Sequence, residues 1–160
     1  MQSAKPISEQ SQRSSRDWRI LGGPSSDRAH VKFARLIFRV AGVWGIVLLA
    51  PLYFMFELIG ANDPPPITHP GFYYGFVGVA LAWQLAFFII ASDPVRFRPM
   101  MIPSIVEKVA YGGAMAVLYL QRRMHVQDLA FGLIDLLFAA LFAVAYVRTG
   151  RLPAMSLVER

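Results

Sequence analysis

Four long apolar runs, separated by short polar segments, dominate the pattern of this chain, and they cover residues 40–58, 72–91, 102–120 and 126–147. A helix needs about 20 mostly apolar residues to cross a bilayer, whereas the strands of a membrane barrel alternate over about 10 residues. Each run has the length of a spanning helix. The pattern therefore predicts an all-α, integral membrane protein with four transmembrane helices.

The polar segments predict how these helices are connected. Ahead of the first run, Lys32, Arg35 and Arg39 continue one helical face, so this helix is expected at about 31–58, with a local kink at Pro51. The connections are short, and short connections join antiparallel neighbours. We expect an antiparallel four-helix bundle over residues 30–148. Residues 1–29 are predicted to be a flexible basic cytoplasmic tail, and residues 149–160 a second cytoplasmic tail.

Composition and charge add an orientation. The 160 residues are 56% hydrophobic and 16% charged, against about half and a quarter in a soluble domain. The net charge is +6. If both ends face the cytoplasm, thirteen Lys and Arg residues lie inside and two, Arg122 and Arg123, lie outside, with Lys108 counted in neither. This bias predicts a bacterial inner-membrane protein with cytoplasmic termini and no nucleic-acid partner. The candidates for lipid headgroup contacts are Lys32, Arg35, Arg39, Arg96 and Arg98.

Small residues predict which helix faces pack together, because they let helix backbones approach in lipid. One stripe on the fourth helix contains Gly132, Ala139 and Ala143. A second stripe, on the second helix, contains Gly71, Gly75, Gly78, Ala82 and Ala86. Gln84 lies roughly 160° around that helix from the second stripe, at about 100° per residue. Both faces cannot point at the centre of the bundle, which suggests a homo-oligomer or a larger complex.

Polar residues inside the apolar runs are the candidate functional groups. Gln84, Glu107, Tyr111 and Asp135 are predicted to form a small polar cavity, with Glu107 and Asp135 as candidate catalytic acids that pass protons or polarise a lipophilic substrate. The alternative interpretation is structural. Asp135 would then be a protonated acid bonded to Tyr111 or Gln84, and Glu107 would pair with one of two cations, Arg39 or Lys108. Lys108 itself is expected to extend to the inner membrane surface.

The sequence suggests no cofactor and no metal site. The chain contains no cysteine, and His30, His69 and His125 lie outside the four apolar runs. Intramembrane haem ligands and thiolate metal sites are therefore missing from the pattern. We find no phosphate-binding glycine loop and no nucleophile elbow.

The stretch HPGFYYGFVGVALAWQLAFFIIASDPVRFRP, followed by EKVAYGG and the last helix, is similar in layout to the DoxX-like group of small bacterial membrane proteins. The shared pattern is a glycine-bearing second helix, an Arg/Pro turn and a third helix, over about residues 35–148. The resemblance implies a four-helix membrane fold. Some members of the group are implicated in quinone-linked redox work, and this chain carries no cofactor motif that would transfer that role.

Two functions follow as hypotheses. The first is a small polytopic membrane protein without catalysis, either a structural or accessory subunit or a binder of lipid-like molecules. Its expected partners are membrane lipids and other membrane protein subunits, or further copies of itself. The second is a membrane enzyme or carrier for a lipophilic substrate, working through the intramembrane carboxylates Glu107 and Asp135. A proton-linked transporter is a weaker third hypothesis, because four helices without a repeat make a small transporter.

Overall fold

The computed structural model describes residues 24–62 and 67–150, and within these ranges the fold is all-α. The helices are α1 (Pro24–Leu49), α2 (Phe56–Asn62), α3 (Pro70–Ser92), α4 (Met101–Leu120) and α5 (Val126–Thr149), with 3₁₀ segments at Ala50–Phe54 and Arg98–Met100. Four segments are long and apolar enough to cross a membrane, namely Asp27–Phe54, Pro70–Ser92, Arg98–Leu120 and Val126–Thr149. The all-α class and the four helices of spanning length are thus confirmed for the described residues, while insertion into a membrane stays a prediction. Most of the predicted tails, at 1–23 and 151–160, lie outside them.

The first apolar run contains two helices and not one kinked helix. Pro51 has no N–H to donate, and its ring would clash with the carbonyl four residues earlier, so α1 ends at Leu49. The chain continues as a 3₁₀ segment with the proline in its first turn, and α2 restarts at Phe56. At its other end α1 begins at Pro24, inside the segment predicted as a tail. Proline is tolerated there because the first N–H groups of a helix have no partner.

The helices pack as an open arrangement with one weak junction. α1 packs on α3 and on α5, and α4 packs on α5, whereas α3 and α4 make little direct contact. Gly112 on α4 lies against Gly132 on α5, and one turn away Lys108 contacts Asp135, which makes these two helices antiparallel. The junction between α3 and α4 is therefore the place where the helices leave space.

Three phenylalanines form an aromatic layer in the core. Phe38, Phe87 and Phe142 come from α1, α3 and α5, and all three are fully buried. The rings of Phe38 and Phe142 stack at 4.0 Å between centroids, and Phe87 meets Phe142 edge-on at 5.2 Å. Offset stacking and edge-to-face contacts are the favoured aromatic geometries. The layer fixes these three helices to one another.

Arginine contacts mark one end of the helices, which we name the basic end. Arg35 on α1 donates from Nη2 to the carbonyl oxygen of Ser92 at 3.2 Å. Arg98 donates from Nε to the carbonyl oxygen of Tyr146 at 3.0 Å, and its guanidinium lies 3.8 Å from the centre of the Tyr146 ring. The first part of α1, the turn before α4 and the end of α5 therefore lie together.

The two stripes of small residues have different surroundings. On α5, Gly132 and Ala139 are buried, as predicted. On α3, Gly71 and Gly75 are exposed, and a Cβ added to either would meet nothing within 4 Å among the described residues. Of the two faces of α3 that could not both point at the centre, the face with Gly71 and Gly75 is therefore the one that points away. Gln84, on the opposite face of α3, points inward.

Candidate functional site

A cavity of about 910 Å³ occupies the space where α3 and α4 separate. All four residues predicted to form a polar cavity line it, namely Gln84, Glu107, Tyr111 and Asp135. Most of the remaining wall is apolar or aromatic and includes Trp44, Leu48, Phe76, Val79, Trp83, Val106, Ala110 and Phe131. The cavity thus combines a large apolar surface with a few polar groups, which is the usual composition of a small-molecule site.

The cavity opens sideways between the helices. Val79 on α3 and Val106 on α4 both line it, and they are 64% and 60% exposed. A molecule would therefore enter from the side of the helices, where lipid chains would lie in a membrane.

A buried ion pair stands at the polar part of the wall. Lys108 Nζ lies 3.1 and 3.0 Å from the two carboxylate oxygens of Asp135, and 3.5 Å from Oε2 of Glu107. The side chains of Lys108, Asp135 and Glu107 are 8%, 13% and 20% exposed. We name these three residues the charged cluster. The expectation that Lys108 extends to the membrane surface is wrong, because its ammonium group points inward and joins α4 to α5.

The charged cluster also decides between the structural alternatives. Asp135 pairs with Lys108, and not with Tyr111 or Gln84 as the structural interpretation expected. Glu107 has Lys108 as its neighbour, which was one of the two cations considered, while Arg39 is exposed on α1. Tyr111 stacks on Phe76 across the cavity, with 6.3 Å between ring centres.

Sequence reasoning missed Lys108, although two glycines carried a signal for it. A Cβ on Gly112 would lie 2.6 Å from Cγ of Leu136 and 2.7 Å from the carbonyl oxygen of Gly132, so the two helices approach closely here. Lys108 and Asp135 lie one turn farther from the α4–α5 hairpin on their respective helices. If α4 and α5 are aligned so that Gly112 faces Gly132, Lys108 lies opposite Asp135.

Two buried side-chain oxygens of cavity-lining residues lack hydrogen-bond donors among the described residues, and they are Oε1 of Gln84 and Oε2 of Glu107. Gln84 is only 1% exposed, and its Nε2 donates to the carbonyl oxygen of Ala80 at 2.9 Å. Its Oε1 lies against Gly45 on α1, where a Cβ would collide with the Gln84 amide. Oε2 of Glu107 lies 3.5 Å from the Lys108 ammonium. A buried acceptor without a hydrogen-bond donor costs roughly 1–3 kcal/mol.

The residues predicted to contact lipid headgroups lie apart from the cavity. Lys32, Arg39 and Arg96 are exposed. Arg35 and Arg98 make the hydrogen bonds at the basic end already described, so part of their donor capacity is used within the fold. Headgroup contact by these five residues stays a prediction.

The described residues contain no group of three or more metal-ligating side chains. No family model, no curated protein and no solved structure matches this chain. The likeness to the DoxX-like group therefore stays a prediction, and the argument for function depends on the cavity itself.

Proposed function

We propose that this chain is an integral membrane protein that binds a lipophilic molecule in the cavity between α3 and α4, without catalysing a reaction. The observation that carries the proposal is the cavity of about 910 Å³, which opens sideways and has an apolar wall with polar groups grouped at one part. Small-molecule sites commonly have about 300–1,000 Å³ and few polar groups that fix orientation. A membrane supplies lipophilic ligands directly to such an opening.

The charged cluster has a structural part in this proposal. Both oxygens of Asp135 lie within hydrogen-bond distance of the Lys108 ammonium, and this pair links α4 to α5. An acid held in this way is poorly placed to exchange protons with a substrate. This arrangement favours binding over the alternative of an enzyme or carrier that uses Asp135 and Glu107 chemically.

The proposed location is a bacterial inner membrane, with both ends in the cytoplasm. The contacts of Arg35 with Ser92 and of Arg98 with Tyr146 support this orientation, because they gather the arginine-rich segments at one end of the helices. The chain has no cysteine, so single cysteines can report topology. An impermeant maleimide added to intact cells should label Thr68→Cys and leave Ser92→Cys unlabelled, and the reverse pattern would refute the orientation.

Ligand binding can be measured with a brominated alcohol, because bromine quenches tryptophan fluorescence on contact and Trp44 and Trp83 line the cavity. The full chain in nanodiscs of a neutral lipid is titrated with 11-bromoundecanol. The proposal predicts quenching with a saturating component. The double variant Ala80→Phe with Ala110→Phe places two rings in the cavity and should remove that component.

The matched control is Ala82→Phe with Ala114→Phe, which adds the same rings to exposed positions on the same two helices. This control should retain the saturating component. Equal quenching curves for the unaltered chain and both double variants would show that the probe reaches the tryptophans only from the bulk lipid. That result would refute the proposed function.

A further inference from the structure

The charged cluster has an unequal number of acidic and basic groups. It contains two carboxyl groups, Glu107 and Asp135, and one ammonium group, Lys108. Lys108 Nζ lies 3.0 Å from Oδ2 of Asp135 and 3.5 Å from Oε2 of Glu107, so Glu107 has the longer and weaker ion pair. We infer that the cavity binds a lipophilic amine in its protonated form, with the ammonium group against the Glu107 carboxylate. This inference rests on the proposed function and names the class of its ligand.

The Glu107 carboxylate supports an ammonium head. Glu107 lines the cavity with 20% of its side chain exposed, and its cationic neighbour among the described residues is Lys108, at 3.5 Å. A protonated primary amine offers three N–H donors and no acceptor, which complements a carboxylate. A ligand carboxylate or phosphate offers only acceptors and would be repelled by Glu107. The Lys108 ammonium, which such an anion would need, already bonds both oxygens of Asp135.

The aromatic wall supports the same charge. Trp44, Trp83 and Tyr111 line the cavity together with Phe76 and Phe131. The faces of aromatic rings attract cations, and the attraction grows when the cation has lost its water. An alkyl chain attached to the amine would occupy the apolar part of the wall and extend toward the opening between Val79 and Val106. Charge, hydrogen-bonding groups and shape therefore all favour a lipophilic ammonium ion.

The test uses three probes that share one tail, octylammonium, octanol and octanoate. Each competes with 11-bromoundecanol for the full chain in neutral nanodiscs, at equal mole fraction in the bilayer. We expect octylammonium to bind about tenfold tighter than octanol, because hydrogen bonds to charged groups are stronger than neutral ones. Octanoate should bind more weakly than octanol. This series needs no variant, so a folding failure cannot obscure it.

Two variants then test the role of Glu107. Glu107→Gln keeps the shape and removes the charge, so the preference for octylammonium over octanol should largely disappear. Glu57→Gln makes the same change on an exposed residue of α2 and should leave the preference intact.

The outcomes separate the two proposals. Equal binding of all three probes, or tightest binding of octanoate, would overturn the inference about the amine while the lipophile-binding function stands. A preference for octylammonium that survives Glu107→Gln in a folded protein would also overturn it. Absence of saturable competition by every probe would overturn both proposals.

Discussion

Replacing Asp135 by asparagine should destabilise the protein by about 3 kcal/mol, because it leaves the buried Lys108 ammonium without its main partner. The substitution preserves size and one acceptor oxygen but removes the charge. Lys108 Nζ now lies 3.0 and 3.1 Å from the two Asp135 oxygens, and its side chain is only 8% exposed. The expected loss of stability therefore arises because Lys108 stays buried while its negatively charged partner is removed.

The magnitude follows from the contacts that survive. Breaking a buried pair by removing one partner costs about 3–5 kcal/mol in general. Here Glu107 Oε2 stays 3.5 Å from Nζ, and the asparagine oxygen can still accept one hydrogen bond. These two contacts place the cost at the lower end of the range. Removing all three charges, with Glu107→Gln, Lys108→Met and Asp135→Leu together, should leave the protein within about 1 kcal/mol of its original stability.

The assay is reversible unfolding in mixed micelles, with sodium dodecyl sulfate as the denaturant and helicity as the signal. Asp128→Asn is the control, since Asp128 lies in the first turn of α5, away from the charged cluster. It should cost less than about 1 kcal/mol, the usual size of a helix-end charge effect. The reasoning is refuted if Asp135→Asn is as mild as this control, or if the triple variant is less stable than Asp135→Asn.

Two glycine pairs test the helix contacts in the same assay. Gly132→Ala should cost about 1–3 kcal/mol, because the new Cβ would lie 2.6 Å from Cβ of Met115, whereas Gly75→Ala meets open space and should be nearly neutral. Gly112→Ala should cost about 1–3 kcal/mol by forcing α4 away from α5, while its neighbour Gly113→Ala, with nothing within 4 Å, should not. Equal effects within either pair would contradict the helix contacts described above.

The apolar runs predicted the helices well because length and hydrophobicity are properties of each segment alone. The end of α1 at Leu49 was harder, since Pro51 can either kink a helix or end it, and only the packing of the following residues decides. The choice between the two faces of α3 stayed open for a related reason. Small apolar residues such as Gly71 and Gly75 can face either lipid or a neighbouring helix, whereas the polar Gln84 side chain is costly to expose to lipid and favours the protein interior.

In the candidate site, too, properties of a single helix could be predicted from the sequence and contacts between two helices could not. The depth of each polar residue along its helix is a local property, and the four residues predicted to share a cavity do line one. The partner of Asp135 is a property of two helices and depends on their register. Long aliphatic side chains can extend toward water or turn inward, so Lys108 could not be assigned from its own position. The close contact of Gly112 with Gly132 turns the lysine toward the acid.

The most direct test of the lipophile-binding cavity is a crystal structure of the full chain grown from a lipid mesophase. We expect elongated non-protein density between α3 and α4, with its polar end within about 3 Å of a Glu107 side-chain oxygen. The Lys108–Asp135 pair should stand beside it. A structure in which α3 and α4 contact each other along their length, with no space between them, would contradict the proposed function.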